Sequence, residues 1–181
     1  MGTACDVVVP KAPPPGPYPI GRRGFNAAVP GILALEKGEQ YLALGEWERA
    51  RKLLQEAAAA NNPDLPMAHW QLATVFLRLG EVDRSLEILI AMESRYPNQF
   101  EVVSGLGFGF YFKRSYEKAR GYLERAMALR PPPTTLLNAL GDCRQILGDA
   151  TKAKEVFERS LGLDPDQDAV KERLESLGGQ P

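Results

Sequence analysis

Similar residues recur along this chain at a nearly constant spacing. One series consists of Ala50, Ser85, Ala119 and Ala153, separated by 35, 34 and 34 residues. A second series with the same period marks candidate turns at Gly45, Gly80, Arg114 and Gly148. A regular period of this length is typical of a stack of repeated units, each of which buries its apolar face against its neighbours.

Residues 100–133 indicate what one unit folds into. Apolar residues recur at steps of three or four along two segments, which are joined by Lys113-Arg114-Ser115. This spacing is typical of two amphipathic helices. Small residues such as Gly107 and Ala119 stand where the two apolar stripes must approach. We therefore expect a helical hairpin, which alone leaves apolar faces uncovered.

The same pattern predicts eight helices in four hairpins, followed by a ninth helix. The predicted helices are residues 31–44, 46–60, 66–79, 82–95, 100–113, 116–129, 134–147, 150–163 and 168–177. The last carries Val170, Leu174 and Leu177 among charged residues. That profile is typical of a helix that covers the final hairpin and turns a polar face outward.

The residues of these units resemble the tetratricopeptide repeat. The third unit carries the resemblance in Leu106, Gly107, Phe110, Tyr116, Ala119, Leu123, Ala126 and Pro131. The second has Leu72, Ala73, Phe76, Gly80, Leu89 and Pro97, and the fourth has Leu140, Gly141, Gly148, Ala153, Phe157 and Pro165. The first departs from the pattern with Lys37 in place of the usual Leu and with Pro63 one residue late.

The resemblance implies an all-α fold, a right-handed superhelical solenoid of four hairpins with a C-terminal capping helix. The implied repeats are residues 31–65, 66–99, 100–133 and 134–167, with a capping helix and tail at 168–181. Residues 1–30 contain seven prolines between Pro10 and Pro30, so we expect an extended, non-helical N-terminal tether or docked strand.

Near the N-terminus, Thr3-Ala4-Cys5 resembles the end of a bacterial lipoprotein cleavage site. Cys5 is therefore a candidate lipidation site, and lipidation would place the chain in a bacterial envelope as a membrane-anchored lipoprotein. The alternative is an incidental cysteine in the tail of a cytoplasmic protein. No run in the given sequence approaches the roughly 18 consecutive apolar residues of a membrane helix.

The sequence contains no group of residues that indicates catalysis or cofactor binding. The lone histidine, His69, occupies an aromatic packing position of the second repeat, and no histidine accompanies Cys143 in its own repeat. Cys5 and Cys143 lack the paired spacing of a metal site. The formal net charge is −1, which gives no reason to expect nucleic acid. We expect no enzyme activity, no cofactor and no metal.

Three closely spaced glycines, Gly105, Gly107 and Gly109, suggest a phosphate-binding loop at first sight. Their spacing does not match the dinucleotide fingerprint, and they fall inside a predicted helix. We expect them to allow close contact between helices instead.

In the tetratricopeptide family the first helix of each hairpin lines a concave groove. The resemblance therefore implies a peptide-binding groove lined by Leu35, Met67, Trp70, Thr74, Leu77, Arg78, Ser104, Phe108, Tyr111, Phe112, Asn138 and Asp142. The positions that grip a C-terminal carboxylate in chaperone adaptors hold no cation here, so that binding mode is not expected. We hypothesise that the aromatic middle of the groove binds an apolar peptide or amphipathic helix of a protein partner.

Four alternatives to this hypothesis remain from the sequence. In one, the N-terminal segment of the same chain, with Tyr18, Ile20 and Phe25, fills the groove. In another, the aromatic residues pack between neighbouring helices. The chain also has the features of a self-associating homo-oligomer whose groove accepts a neighbour's N-terminal segment, or of a cytosolic adaptor. With lipidation at Cys5, it resembles small tetratricopeptide lipoproteins that aid assembly of envelope complexes, such as pilotins.

Overall fold

A computed structural model of the chain describes residues 31–60 and 66–178. Within these ranges the chain forms nine α-helices and no β-strand. They are α1 (Ile32–Ala43), α2 (Trp47–Ala59), α3 (Pro66–Arg78), α4 (Val82–Glu93), α5 (Phe100–Phe112), α6 (Tyr116–Leu129), α7 (Thr134–Ile146), α8 (Ala150–Leu163) and α9 (Asp168–Gly178). Each predicted helix is present, with both ends within two residues of the prediction.

The four hairpin turns have the same backbone geometry. Gly45, Gly80 and Gly148 adopt left-handed φ angles of 73°, 78° and 84°, and Arg114 adopts 60°. In each turn the amide of the following residue donates a hydrogen bond back to the helix, from Glu46 to Tyr41 and from Ser115 to Phe110, for example. This pattern ends a helix with a left-handed residue, and glycine favours it because it has no Cβ.

Small residues lie where the two helices of a hairpin meet. Ala50, Ser85, Ala119 and Ala153 are completely buried. A Cβ added at Gly107 would lie 2.7 Å from Cδ2 of Leu123, so α5 and α6 approach too closely for a larger residue. The predicted series of small residues is thus the set of close contacts within the hairpins.

The hairpins stack in sequence to form the expected all-α repeat solenoid. Each helix packs against the next, and α5 also contacts both α3 and α7. The second helices α4, α6 and α8 have no comparable contacts with one another in the described part of the chain. The first helices therefore lie closer together and form the inner face of the curve.

The C-terminal helix continues the row of first helices. Val170 of α9 is buried against Ala153 and Phe157 of α8, and Leu174 and Leu177 pack partly beside it. This is the covering role that the sequence predicts for residues 168–177. None of the helices in the described ranges is both long and apolar enough to cross a lipid bilayer.

Candidate functional site

The inner face is formed by α1, α3, α5, α7 and α9, and polar contacts join these helices near the two ends. At the N-terminal end, Nε2 of Gln71 donates to Oε1 of Glu39 over 2.8 Å, linking α3 to α1. At the C-terminal end, the hydroxyl of Tyr111 donates to Oδ2 of Asp142 over 2.8 Å. Nε of Arg173 from α9 lies 3.0 Å from Oδ1 of the same carboxylate.

A further surface of the inner face, which we call the central inner patch, lies on α3 and α5. It consists of Trp70, Thr74 and Leu77 from α3, and of Phe108, Tyr111 and Phe112 from α5. All six side chains are partly exposed. Leu77 lies beside Gly109 of α5, since its Cδ2 atom would be 3.9 Å from a Cβ added there. The patch therefore spans the contact between the second and third hairpins.

The aromatic rings of the patch are held by different surroundings. Phe108 and Tyr111 rest on the buried core of the third and fourth hairpins, and Trp70 rests on the core between α3, α4 and α5. Phe112 meets the ring of Tyr111 edge-on, with 5.6 Å between centroids. Each ring is thus anchored by packing, and part of its surface stays accessible. The packing agrees in part with the alternative that these residues pack between helices.

Four other residues predicted to line the groove contribute less to this surface. Leu35 is 4% exposed and Ser104 is 8% exposed, so both are buried. Met67 packs partly against the core of the first two hairpins. The guanidinium of Arg78 lies over the ring of Trp47 at 5.6 Å from its centroid, and burial lowers the pKa of Arg78.

The two predicted groove residues on α7 are held by contacts within the chain. Asn138 donates to Oε1 of Gln167 over 2.7 Å and accepts a hydrogen bond from the hydroxyl of Ser160 over 2.6 Å. Asp142 binds both Tyr111 and Arg173. Asp142 therefore joins the last hairpin to α5 and α9, whereas Asn138 joins α7 to α8 and to the segment after it.

The charged side chain of Asp142 is only 13% exposed on the inner face. Burial raises its pKa, although Arg173 and the hydrogen bond from Tyr111 act in the opposite direction. Burial and the adjacent carboxylate raise the pKa of Tyr111 as well. Tyr111 therefore stays protonated at neutral pH and acts as a hydrogen-bond donor to Asp142.

The described residues offer no reactive centre. Cys143 is completely buried, and burial raises the pKa of its thiol to about 12, so the nucleophilic thiolate is scarce at neutral pH. No group of three or more metal-ligating side chains occurs within the described ranges. A shallow cavity of about 420 Å³ lies beside Glu46, Trp47, Glu48, Arg49 and Leu79. Cys5 lies outside the described residues.

Sequence reasoning missed two polar residues that shape this site, Gln167 and Arg173. Gln167 binds Asn138, Ser160 and the carbonyl oxygen of Asp164, and Arg173 pairs with Asp142. A signal for Arg173 exists, because continuing the 34-residue period places it at the sixth position of a further first helix. Gln71 is the sixth residue of its own repeat and makes the corresponding contact with Glu39.

Comparison with protein families agrees with this architecture. Tetratricopeptide repeat models match residues 35–99 and 134–167, which together exceed half of the 181 residues. The chain belongs to the tetratricopeptide repeat family. Members of this family generally serve as scaffolds for protein–protein interaction.

Solved structures of tetratricopeptide proteins have the same fold. A thermophilic member from Thermus thermophilus matches with a TM-score of 0.66 and 26% identity, over 81% of this chain and 80% of that one. PilF from Pseudomonas aeruginosa matches with a TM-score of 0.69 and 27% identity, over 81% of this chain and 67% of that one. MamA from Desulfovibrio magneticus RS-1 matches at 22% identity and a TM-score of 0.65, over 76% and 77% of the two chains.

One sequence relative is a much larger protein. BBSome complex member BBS4 of Bos taurus is 27% identical over 112 residues, which are 62% of this chain and 21% of the relative. The chain thus spans about a fifth of that protein's length.

Proposed function

We propose that this chain is a non-enzymatic interaction scaffold that binds an apolar peptide or amphipathic helix of a protein partner at the central inner patch. The observation that carries the proposal is the contrast along the inner face. The polar side chains of Glu39, Gln71, Asp142 and Arg173 are engaged in contacts within the chain, whereas the apolar side chains Leu77, Phe108 and Phe112 remain partly exposed.

The chemistry of the patch favours an apolar ligand. Phe108, Phe112 and Leu77 offer no hydrogen-bonding group, and the hydroxyl of Thr74 donates within its own helix to the carbonyl oxygen of Trp70 over 2.9 Å. A ligand therefore gains chiefly by removing apolar surface from water. An amphipathic helix can present apolar side chains at every third or fourth residue to such a surface.

Packing of the rings strengthens this proposal. A side chain that is already ordered loses little conformational freedom when a ligand binds, and anchored aromatic residues are frequent hot spots of binding energy. Phe112 is our candidate for the main contact, because its ring packs against Tyr111 and stays partly exposed.

Selection of peptides from a displayed random library on the full-length chain tests the proposal. We expect the selected peptides to be apolar or amphipathic. Replacing Leu77→Ser and Phe112→Ser together should weaken their binding by about a hundredfold, since each truncated hot spot costs about 1–2 kcal/mol. Fluorescence anisotropy with labelled peptide measures this change.

Leu163→Ser is the matched control for that experiment. Leu163 is 60% exposed but lies at the end of α8, away from the inner face. Its replacement should leave peptide affinity unchanged, and circular dichroism should report the same helix content for all variants. Equal affinity of the double variant and the unsubstituted chain would contradict the proposal.

A second proposal concerns location and rests on Thr3-Ala4-Cys5. We propose that Cys5 carries a lipid and anchors the scaffold to a bacterial membrane, where it aids assembly of an envelope complex. The genomic sequence upstream of Met1 tests this proposal. An in-frame basic and apolar leader that ends in Leu supports it, whereas a ribosome-binding site directly before Met1 contradicts it.

A further inference from the structure

The third residue of each repeat packs against the second helix of the preceding hairpin. Ala68, Val102 and Leu136 share buried clusters with α2, α4 and α6, and each has 0% exposure. Val170 of α9 has the same position against α8 and is 2% exposed. Leu33 is the equivalent residue of α1, and it is 56% exposed.

The exposure of Leu33 belongs to a larger face of α1, which we call the α1 outer face. Exposed side chains recur along it at steps of three or four, at Leu33, Lys37, Gln40 and Leu44, with Glu36 beside them. Leu44, at the end of the helix, is 69% exposed. No helix in the described part of the chain packs on this face, so two large apolar side chains remain accessible to solvent there.

The other end of the solenoid is different. On α9, Lys171, Glu172 and Glu175 are exposed, and the apolar residues Val170, Leu174 and Leu177 point toward α8. This helix ends the stack with a charged surface. The α1 outer face instead has the exposed Leu33 at the position that is buried against a preceding helix in every later repeat.

We propose that the segment directly before α1, residues 18–29, covers the α1 outer face. These residues lie outside the described ranges, and they contain Tyr18, Ile20, Phe25 and Val29. They join α1 through Pro30 and Gly31, so their effective concentration at this face is in the millimolar range, well above that of a separate molecule.

The dimensions allow this arrangement. Leu33 and Leu44 are 11 residues apart along one helix, which corresponds to about 16 Å at 1.5 Å per residue. An extended chain covers that distance with about five residues at roughly 3.1 Å each. Twelve residues are therefore enough to turn back from Gly31 and to cross the face.

This use of the N-terminal segment goes beyond the function proposed for the inner face. With residues 18–29 held at the outside of α1, the central inner patch stays free for a partner. Covering Leu33 and Leu44 also removes an apolar end that would favour stacking between copies of the chain.

Cysteine labelling of the full-length chain tests the proposal. Leu33→Cys and Leu163→Cys are made separately with Cys5→Ser, and Cys143 is buried and unreactive. The two replaced leucines are 56% and 60% exposed in the described structure, so an uncovered face gives similar labelling rates. We expect a maleimide to modify position 33 at least about tenfold more slowly than position 163, as for a site that must open first.

Substitutions in the segment identify what covers the face. Replacing Tyr18, Ile20, Phe25 and Val29 with Ser should raise the labelling rate at position 33 to that at position 163. Replacing Val7, Val8 and Val9 with Ser removes apolar residues farther from α1 and should change neither rate. Equal rates at the two positions before these substitutions would overturn the proposal. Slow labelling that persists in the quadruple variant, or that depends on protein concentration as for a second copy, would also overturn it.

Discussion

α5 and α7 occupy the same place in consecutive hairpins, but their inner sides differ in chemistry. Phe108 and Phe112 on α5 correspond to Asp142 and Ile146 on α7, 34 residues later. Asp142 is bound to Tyr111 and Arg173, whereas the two phenylalanines have no polar group to engage. The comparison indicates that Asp142 fixes α7 to its neighbours, whereas Phe108 and Phe112 of α5 stay partly exposed without a polar contact.

The two helices also differ in how closely their neighbours approach. Gly105 and Gly109 of α5 face Leu89 and Leu86 of α4, and Gly107 faces Leu123 of α6. On α7 the residues equivalent to Gly105 and Gly109 are Ala139 and Cys143. The residue equivalent to Gly107 is again a glycine, Gly141, which faces Phe157 of α8. The α5 helix is therefore packed closely on two sides, and this holds its aromatic residues in place.

The largest effect on stability is expected at a close contact of α5. In Gly107→Ala the new Cβ would lie 2.7 Å from Cδ2 of Leu123. Overpacking should outweigh the better helix propensity of Ala, so the free energy of unfolding should fall by about 2 kcal/mol. Gly121→Ala is the control, because nothing lies within 4 Å of its added Cβ. It should stabilise the chain by up to about 1 kcal/mol. Urea unfolding measures both changes, and equal effects would contradict the packing argument.

A smaller effect is expected from the charge contact of α7. Arg173→Ala leaves the carboxylate of Asp142 without its cation and should cost about 1.5 kcal/mol at pH 7, less than a fully buried pair because Arg173 is partly exposed. Lys171→Ala on the same helix removes only an exposed pair with Asp168 and should have little effect.

The pH dependence of Arg173→Ala distinguishes this cause from lost packing. The pKa of Asp142 is already raised, so its folded form binds a proton more readily than the unfolded chain does. The stability gained from protonating Asp142 in the folded state is present at low pH, and it is lost as the pH rises through the pKa of Asp142 in the folded chain. Because Arg173 stabilises only the ionised carboxylate, the cost of Arg173→Ala should shrink as the pH falls toward about 4. A loss of stability in Arg173→Ala that does not change with pH would indicate that lost packing is its cause.

The smallest effect is expected at the turn after α5. Arg114 has a φ of 60°, which glycine adopts with less strain, whereas the turn after α7 already has Gly148 at 84°. Arg114→Gly should stabilise the chain by about 0.5–1 kcal/mol, after allowance for the greater freedom of glycine in the unfolded state. Gly148→Ala should change stability in the opposite direction. Thermal unfolding followed by circular dichroism measures both, and a destabilised Arg114→Gly would contradict the expectation.

The period and the helices could be predicted from the sequence because they depend on local signals. Gly80 and Gly148 mark turns, and Ala119 and Gly107 mark close contacts, wherever the neighbouring repeats lie. The turn at Arg114 was predicted from its register alone, and its left-handed φ confirms that position.

Exposure of the inner residues could not be predicted in the same way. Leu35 and Asp142 both belong to the family's groove positions, yet Leu35 is buried and Asp142 is bound to another helix. These outcomes depend on the side chains of adjacent repeats, so a register alone does not determine them. Whether the twelve predicted residues bind a ligand remains a prediction.

Photo-cross-linking from the inner face tests the central claim most directly. With p-benzoylphenylalanine in place of Phe112, the labelled library peptide that binds most tightly should become covalently attached to the chain on irradiation. An excess of unlabelled peptide should prevent the attachment. The same group in place of Leu163 should give no adduct. An adduct from position 163 with none from position 112 would contradict the assignment of the central inner patch as the docking surface.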